Sequence, residues 1–161
     1  MPLKAEGEFA QVKQFLDEGL SRITEINPDM VFYSLLVDTA VLEEDAKNLK
    51  EYTPRLLDQA NQNGHKLFKA VALRSLAVAN RLDGKYKPAQ NQLEEAEAIF
   101  QDMETNWQLG RTYYEFGQLM VAQDNPAEAK KQFEKAVHCF ESIGALPDAE
   151  RTQFAIESLS S

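Results

Sequence analysis

Residues 70–100 read AVALRSLAVANRLDGKYKPAQNQLEEAEAIF, and residues 110–140 read GRTYYEFGQLMVAQDNPAEAKKQFEKAVHCF. Set side by side at a 40-residue offset, Leu73, Leu76, Ala77, Gly84, Tyr86, Ala89, Leu93, Ala96 and Phe100 meet Tyr113, Phe116, Gly117, Asp124, Pro126, Ala129, Phe133, Ala136 and Phe140. Large apolar residues meet large ones, small residues meet small ones, and a turn residue falls between the halves each time. Within each half the apolar positions recur three and four apart, the period of a helix with one buried face. A helical hairpin written twice at this spacing marks a stacked repeat protein, in which each unit buries its apolar face against its neighbours.

Helices extend outward from this stretch in both directions. Upstream, residues 66–82 form the first helix of the first copy. Asn61-Gln62-Asn63-Gly64 is a stop signal, with Gly64 free to take a left-handed cap. Before it, the expected helix covers most of 47–63 with a break near 53. Tyr52-Thr53-Pro54 also fits a late helix start or a kink at Pro54. A helix over 29–44 carries Val31, Phe32, Leu35, Leu36, Ala40 and Val41 on its apolar face, opened by Asn27-Pro28. A first helix over 6–26 carries Phe9, Val12, Phe15, Leu16, Leu20, Ile23 and Ile26 on one stripe. Downstream come helices near 88–103, 107–123 and 126–143, then a closing amphipathic helix over 147–159. No alternating Val, Ile and Thr run competes for a strand. The expected architecture is all-α, one domain over 1–161: a half repeat or cap at 6–26, repeats at 29–64, 66–103 and 107–143, and the closing helix.

The chain has 161 residues, 43% hydrophobic and 27% charged, with a formal net charge of -9. That balance suits a folded soluble domain. The acidity argues against non-specific nucleic-acid binding, which needs a basic surface, and against docking on anionic membrane. One cysteine, Cys139, allows no intramolecular disulfide, and a reducing, cytoplasmic setting is expected. The N-terminus has no signal-peptide pattern, and no stretch reaches the roughly 18 apolar residues of a membrane span.

The hairpins resemble the tetratricopeptide repeat (TPR). The first halves read Leu73, Leu76-Ala77, Asn80 and Tyr113, Phe116-Gly117, Met120; the second halves read Ala89, Leu93, Ala96 and Ala129, Phe133, Ala136. Val37, Ala40-Val41 with Thr53, Leu57, Ala60 form a weaker earlier copy, and Phe9, Val12, Leu16, Gly19, Ile23 match a second half alone. The steps Leu16 to Leu57 to Leu93 to Phe133 are 41, 36 and 40 residues. Such long-helix repeats are similar to TPR arrays of bacterial signal-transduction ATPases and kinesin-light-chain-like proteins. The resemblance implies a right-handed superhelix whose concave groove binds a partner peptide or protein. It implies groove positions Leu35, Asp38, Leu42 and Asp45, then Val71, Arg74, Val78 and Arg81, then Arg111, Tyr114, Gln118 and Val121, with Arg151 and Phe154 from the closing helix.

The chain has six arginines, and Arg74, Arg81, Arg111 and Arg151 all fall in this set. Guanidinium forks take carboxylates two bonds at a time, so an acidic partner segment is expected, with Tyr114 and Val78 adding apolar contact. The bland alternative pairs Arg74 with Asp38 and Arg111 with a nearby Glu. A competing class is a homodimer through the exposed stripe of the first helix; another is a regulatory segment of a larger ATPase or kinase. No catalytic constellation is expected: His65 sits in a connection, and His138 and Cys139 point about 100° apart on one helix. No metal, cofactor or phosphate loop is expected. Glu94, Glu95 and Glu97 read as a solvated outer face, and Trp107 as packing between repeats.

Overall fold

In a computed structural model, residues 27–160 are described, with Ala10 alone among the first 26. The expected helix over 6–26, and a homodimer through it, lie outside the described residues. Seven α-helices follow in order, with no strand among the described residues. They are α1 (Pro28–Glu43), α2 (Ala46–Asn63), α3 (Lys66–Leu82), α4 (Tyr86–Asp102), α5 (Asn106–Ala122), α6 (Pro126–Ser142) and α7 (Leu146–Ser158). Each helix packs on the next in sequence, and α1 packs on α3 and α3 on α5. The molecule is therefore a row of hairpins, α1–α2, α3–α4 and α5–α6, with α7 closing it.

The turns are one structure repeated. Glu44, Gly64, Gly84, Glu104, Asp124 and Gly144 all have positive φ, between 51° and 76°, at steps of 20 residues. After each, the next backbone N–H returns to the carbonyl five residues back, from Asp45 to Ala40, His65 to Ala60, Lys85 to Asn80, Thr105 to Phe100, Asn125 to Met120 and Ala145 to Phe140, at 2.8–3.2 Å. This is the Schellman closure, which satisfies a helix's last free carbonyls. The following helix then starts at once. Side chains of Asp45, Thr105 and Asn125 accept from the backbone N–H three residues on, and Asn27 accepts from Asp29.

Even-numbered helices give the stack its register. Buried positions are Leu49, Thr53, Leu56 and Ala60 on α2, Ala89, Leu93, Ala96 and Phe100 on α4, and Ala129, Phe133, Ala136 and Phe140 on α6. The step is 40 residues throughout. The expected first copy, Thr53, Leu57 and Ala60 at a step of 36, is four residues out of register, and Leu57 is only half-buried. The sizes are reordered: in the first hairpin the large residues Leu49 and Leu56 lead and Ala60 ends, whereas later hairpins end on phenylalanine.

Helix α2 also corrects the expected break near 53. It runs unbroken over Ala46–Asn63 with Pro54 inside. Thr53 is fully buried, whereas Pro54 and Lys50 are exposed. The carbonyl that Pro54 leaves without a donor thus belongs to a residue in contact with water. Helix α4 starts at Tyr86, two residues before the expected start.

Close approach depends on missing side chains. A Cβ on Gly117 would stand 2.4 Å from the Phe133 ring, and one on Gly110 would stand 2.7 Å from Phe140. The buried apolar strip runs from Met30 and Val37 through Leu56, Val71 and Phe100 to Leu109. It continues through a patch at Ala77, Leu93 and Phe116, and another at Ala136, Phe140 and Ala149. Among the described residues no helix is long and apolar enough to cross a membrane.

Candidate functional site

The odd-numbered helices lie side by side, and residues 40 apart take equivalent places on them. One row holds Val31, Val71, Arg111 and Arg151; a second holds Ser34, Arg74, Tyr114 and Phe154; a third holds Asp38, Val78, Gln118 and Ser158. These rows contain most of the expected groove residues. In α1 the set becomes Val31, Ser34, Asp38 and Val41, so Leu35, Leu42 and Asp45 drop out. Leu42 is 57% exposed, and Asp45 caps α2.

Long charged side chains cross between the rows. Asp38 on α1 lies 3.7 Å from Arg74 Nη2 on α3 and 3.0 Å from Arg111 Nη1 on α5. One carboxylate therefore ties three helices together. Arg74 is fully buried; its guanidinium lies 5.2 Å from the centre of the Phe100 ring, and Nη1 donates to the Gln108 carbonyl at 3.1 Å. Arg111 lies 5.0 Å over the Trp107 ring. Further along the same face, Arg81 Nη2 is 3.6 Å from Glu44 Oε1 and 4.0 Å from Glu115 Oε2.

Burial sets the electrostatics here. Loss of water, with Arg111 adding repulsion, pushes the Arg74 guanidinium down from 12.5 to about 9 against the opposing pull of Asp38. Arg74 still carries its charge at neutral pH. Burial pushes the Glu115 carboxyl up, against the nearby Arg81 and Arg111. Glu115 was not singled out by the sequence. The residues one turn away on its face of α5 are Arg111, Thr112 and Leu119, so a glutamate there gave no distinct sequence signal.

The structure thus moves Arg74, Arg111 and Val78 out of the solvent-facing lining expected of them. Each is less than 10% exposed, because the odd helices lie close enough for one aspartate to reach two arginines. The Arg74–Asp38 pair of the bland alternative is present. Arg111 pairs with the same aspartate, not with a glutamate.

The face opens toward α7. Tyr114, Gln118, Val121, Phe133, Arg151 and Phe154 line a cleft of ≈ 300 Å³ between α5 and α7. Arg151 covers the Tyr114 ring at 4.7 Å and lies 3.8 Å from Asp148. Gln118 Nε2 donates to the Tyr114 hydroxyl at 3.1 Å, and the Tyr114 ring packs 5.5 Å from Phe133. Burial raises the pKa of the Tyr114 hydroxyl, so it stays protonated at neutral pH. The cleft therefore offers a half-exposed guanidinium, an amide and a phenol beside an apolar wall.

Other singled-out residues lie elsewhere. Trp107 Nε1 donates to Asp148 at 3.1 Å and joins α5 to α7. His65 packs edge-on against Phe68. Cys139 is half-buried, with its thiol pKa raised by burial. Among the described residues no three His, Cys, Asp or Glu side chains gather in a way that could hold a metal.

No family model matches the chain, and no curated protein matches it. Among solved structures it is similar to BtubC (BKLC) from P. vanneervenii, at 18% identity and a TM-score of 0.58, covering 98% of this chain and 75% of that one. At that identity the likeness is one of fold: the chain is an all-α stack of helical hairpins.

Proposed function

We propose that the chain is a non-catalytic, TPR-type scaffold that holds an acidic segment of a partner protein on the face of its odd-numbered helices. The observation that carries this reading is the open cleft in which half-exposed Arg151 covers the Tyr114 ring beside Gln118, on a face whose inner arginines Arg74 and Arg111 are buried against Asp38. The arginines divide the work. Arg74 and Arg111, with Asp38, fix the spacing of α1, α3 and α5. Arg151, Tyr114 and Gln118 meet the partner in the open cleft, and Arg81 stays between Glu44 and Glu115. Because the face is braced by buried pairs, it should change little on binding.

The test is a fluorescence-anisotropy titration with labelled peptides rich in Glu and Asp, against the same peptides carrying Gln and Asn. The acidic set should bind and weaken with salt. Arg151→Gln should weaken it by about tenfold, the ~1.4 kcal/mol of one charge-assisted bond. Lys130→Gln, on the outside of α6, should change nothing. Equal binding of acid and amide peptides, or indifference to Arg151→Gln, rules the reading out.

A further inference from the structure

The gap between neighbouring even-numbered helices occurs over α3 and again over α5, and the two copies are finished differently. Over α3, between α2 and α4, the chain bridges the gap itself. Lys50 Nζ reaches Asp83 Oδ1 at 3.0 Å, and Asn80 Nδ2 donates to Gln92 Oε1 at 2.8 Å. Over α5, between α4 and α6, the residues 40 places on are Gln90, Gln123, Met120 and Gln132. Both cross-links are lost. Gln90 donates along its own helix to Glu94, and Gln132 donates along its own to Glu128. A cleft of ≈ 380 Å³ is left there, lined by all four of these residues.

The second gap also changes its charge. Phe116 and Met120 of α5 make an apolar floor, with Glu94 and Glu97 on the α4 wall and Glu128 on the α6 wall. The first gap has Pro54, Leu57 and Pro88 at those places. The copy that loses its lysine therefore gains three carboxylates. Lys135, the one base in the lining, holds its ammonium 5.4 Å over the Tyr113 ring, and the 70% exposed Lys131 meets Glu128 at 3.5 Å. Glu94 and Glu97 take their hydrogen bonds from neutral donors, Gln90, Gln101 and Tyr113. Carboxylates held this way keep room for the stronger bond that a charged donor makes.

We propose that this cleft binds a polyamine, a linear aliphatic amine carrying two or more ammonium groups. Its methylenes lie on Phe116 and Met120, as a lysine stem lies on apolar surface. Its ammonium groups reach Glu94 and Glu97 on one wall and Glu128 on the other, and so supply from outside what Lys50 supplies within the first gap. One ammonium would answer one wall only, which is why the occupant carries more. The cleft uses a different face of α5 from Tyr114 and Gln118, so this inference does not depend on the acidic-segment reading above.

The experiment titrates the full chain with spermidine at constant ionic strength, followed by calorimetry and amide NMR. Shifts should gather at 90–97, 116–123 and 128–135, around the cleft. Glu94→Gln/Glu128→Gln should weaken binding by about tenfold or more, the worth of one charge-assisted bond. Gln90→Lys/Gln123→Asp transplants the Lys50–Asp83 pair without changing net charge, and should fill the cleft and weaken spermidine as much. Circular dichroism checks that both variants stay folded. Absence of binding overturns the proposal. So does binding that survives the transplanted pair, or shifts that magnesium chloride reproduces, since either is adsorption on an acidic chain. Equal affinity for butylamine removes the second ammonium and overturns it too. Tighter binding of a lysine-rich peptide than of spermidine overturns it in favour of a partner protein's side chains. The acidic-peptide titration should not respond to Gln90→Lys/Gln123→Asp, so the two readings fail separately.

Discussion

At Gly117 helix propensity and packing pull in opposite directions. Propensity alone favours alanine in a helix interior by about 1 kcal/mol. Packing forbids it, because the new Cβ would lie 2.4 Å from the Phe133 ring, and Phe133 is itself buried. Gly117→Ala should therefore lose about 1–3 kcal/mol in urea unfolding. The earlier hairpins indicate the rescue: the equivalent pairs are Val37 with Thr53 and Ala77 with Leu93, so the even-helix residue grows as the odd-helix residue shrinks. Gly117→Ala with Phe133→Leu imports the middle pair and should return to within about 1 kcal/mol of the parent. A stabilising single substitution would show that the ring moves freely. Glu115 makes a prediction in pH. Its folded pKa lies above the unfolded 4.5, so between these values the unfolded chain binds fewer protons and stability falls as pH rises. Glu115→Gln removes that loss. The melting temperature of the variant minus that of the parent should climb from pH 4.5 toward neutrality; a flat difference would place the carboxyl in water.

Turns and helices show the cost of irregular residues in a regular frame. Gly64, Gly84 and Gly144 occupy left-handed turn positions at little cost, whereas Glu44, Glu104 and Asp124 take the same φ with a Cβ. Glu104→Gly should gain about 0.5–1 kcal/mol, the relief exceeding the added freedom of the unfolded chain, while Gly84→Ala should lose about 1 kcal/mol. Opposite changes in melting temperature for the two variants are the readout. This mixed usage is also why the 20-residue period was hidden in the sequence, although the 40-residue one was plain. A turn that accepts Gly, Glu or Asp leaves no constant letter. Helices over 66–82 and 126–142 were legible from apolar spacing and end signals. The first hairpin's register was not, because Met30 and Ala60 stand where Ala70 and Phe100, then Gly110 and Phe140, stand later; bulk is kept while its owner changes. Pro54 read as a break because a one-dimensional reading does not show that it faces water. At the site, the residue types and the Asp38–Arg74 pair were legible. The burial of Arg74 and Arg111 was not, since it follows from how closely α1, α3 and α5 approach one another.

Over the whole molecule, a stack and a shared core respond differently to one cavity. Phe140 is fully buried on α6, fills the space left by Gly110 on α5 and clusters with Ala149 on α7. Phe140→Ala should lose about 3–5 kcal/mol by cavity formation. In a row of hairpins that loss stays with the neighbours of the cavity. Native-state hydrogen exchange should then show amides of α5, α6 and α7 opening far more readily, while α2, α3 and α4 keep most of their protection. Phe100→Ala, in the middle of the row, should instead lower protection on both sides of it, because Phe100 belongs to the buried strip that joins α1 through α5. If Phe140→Ala lowered protection equally from α1 to α7, the helices would be enclosing one common interior, and the hairpins could not be treated as units held by their neighbours.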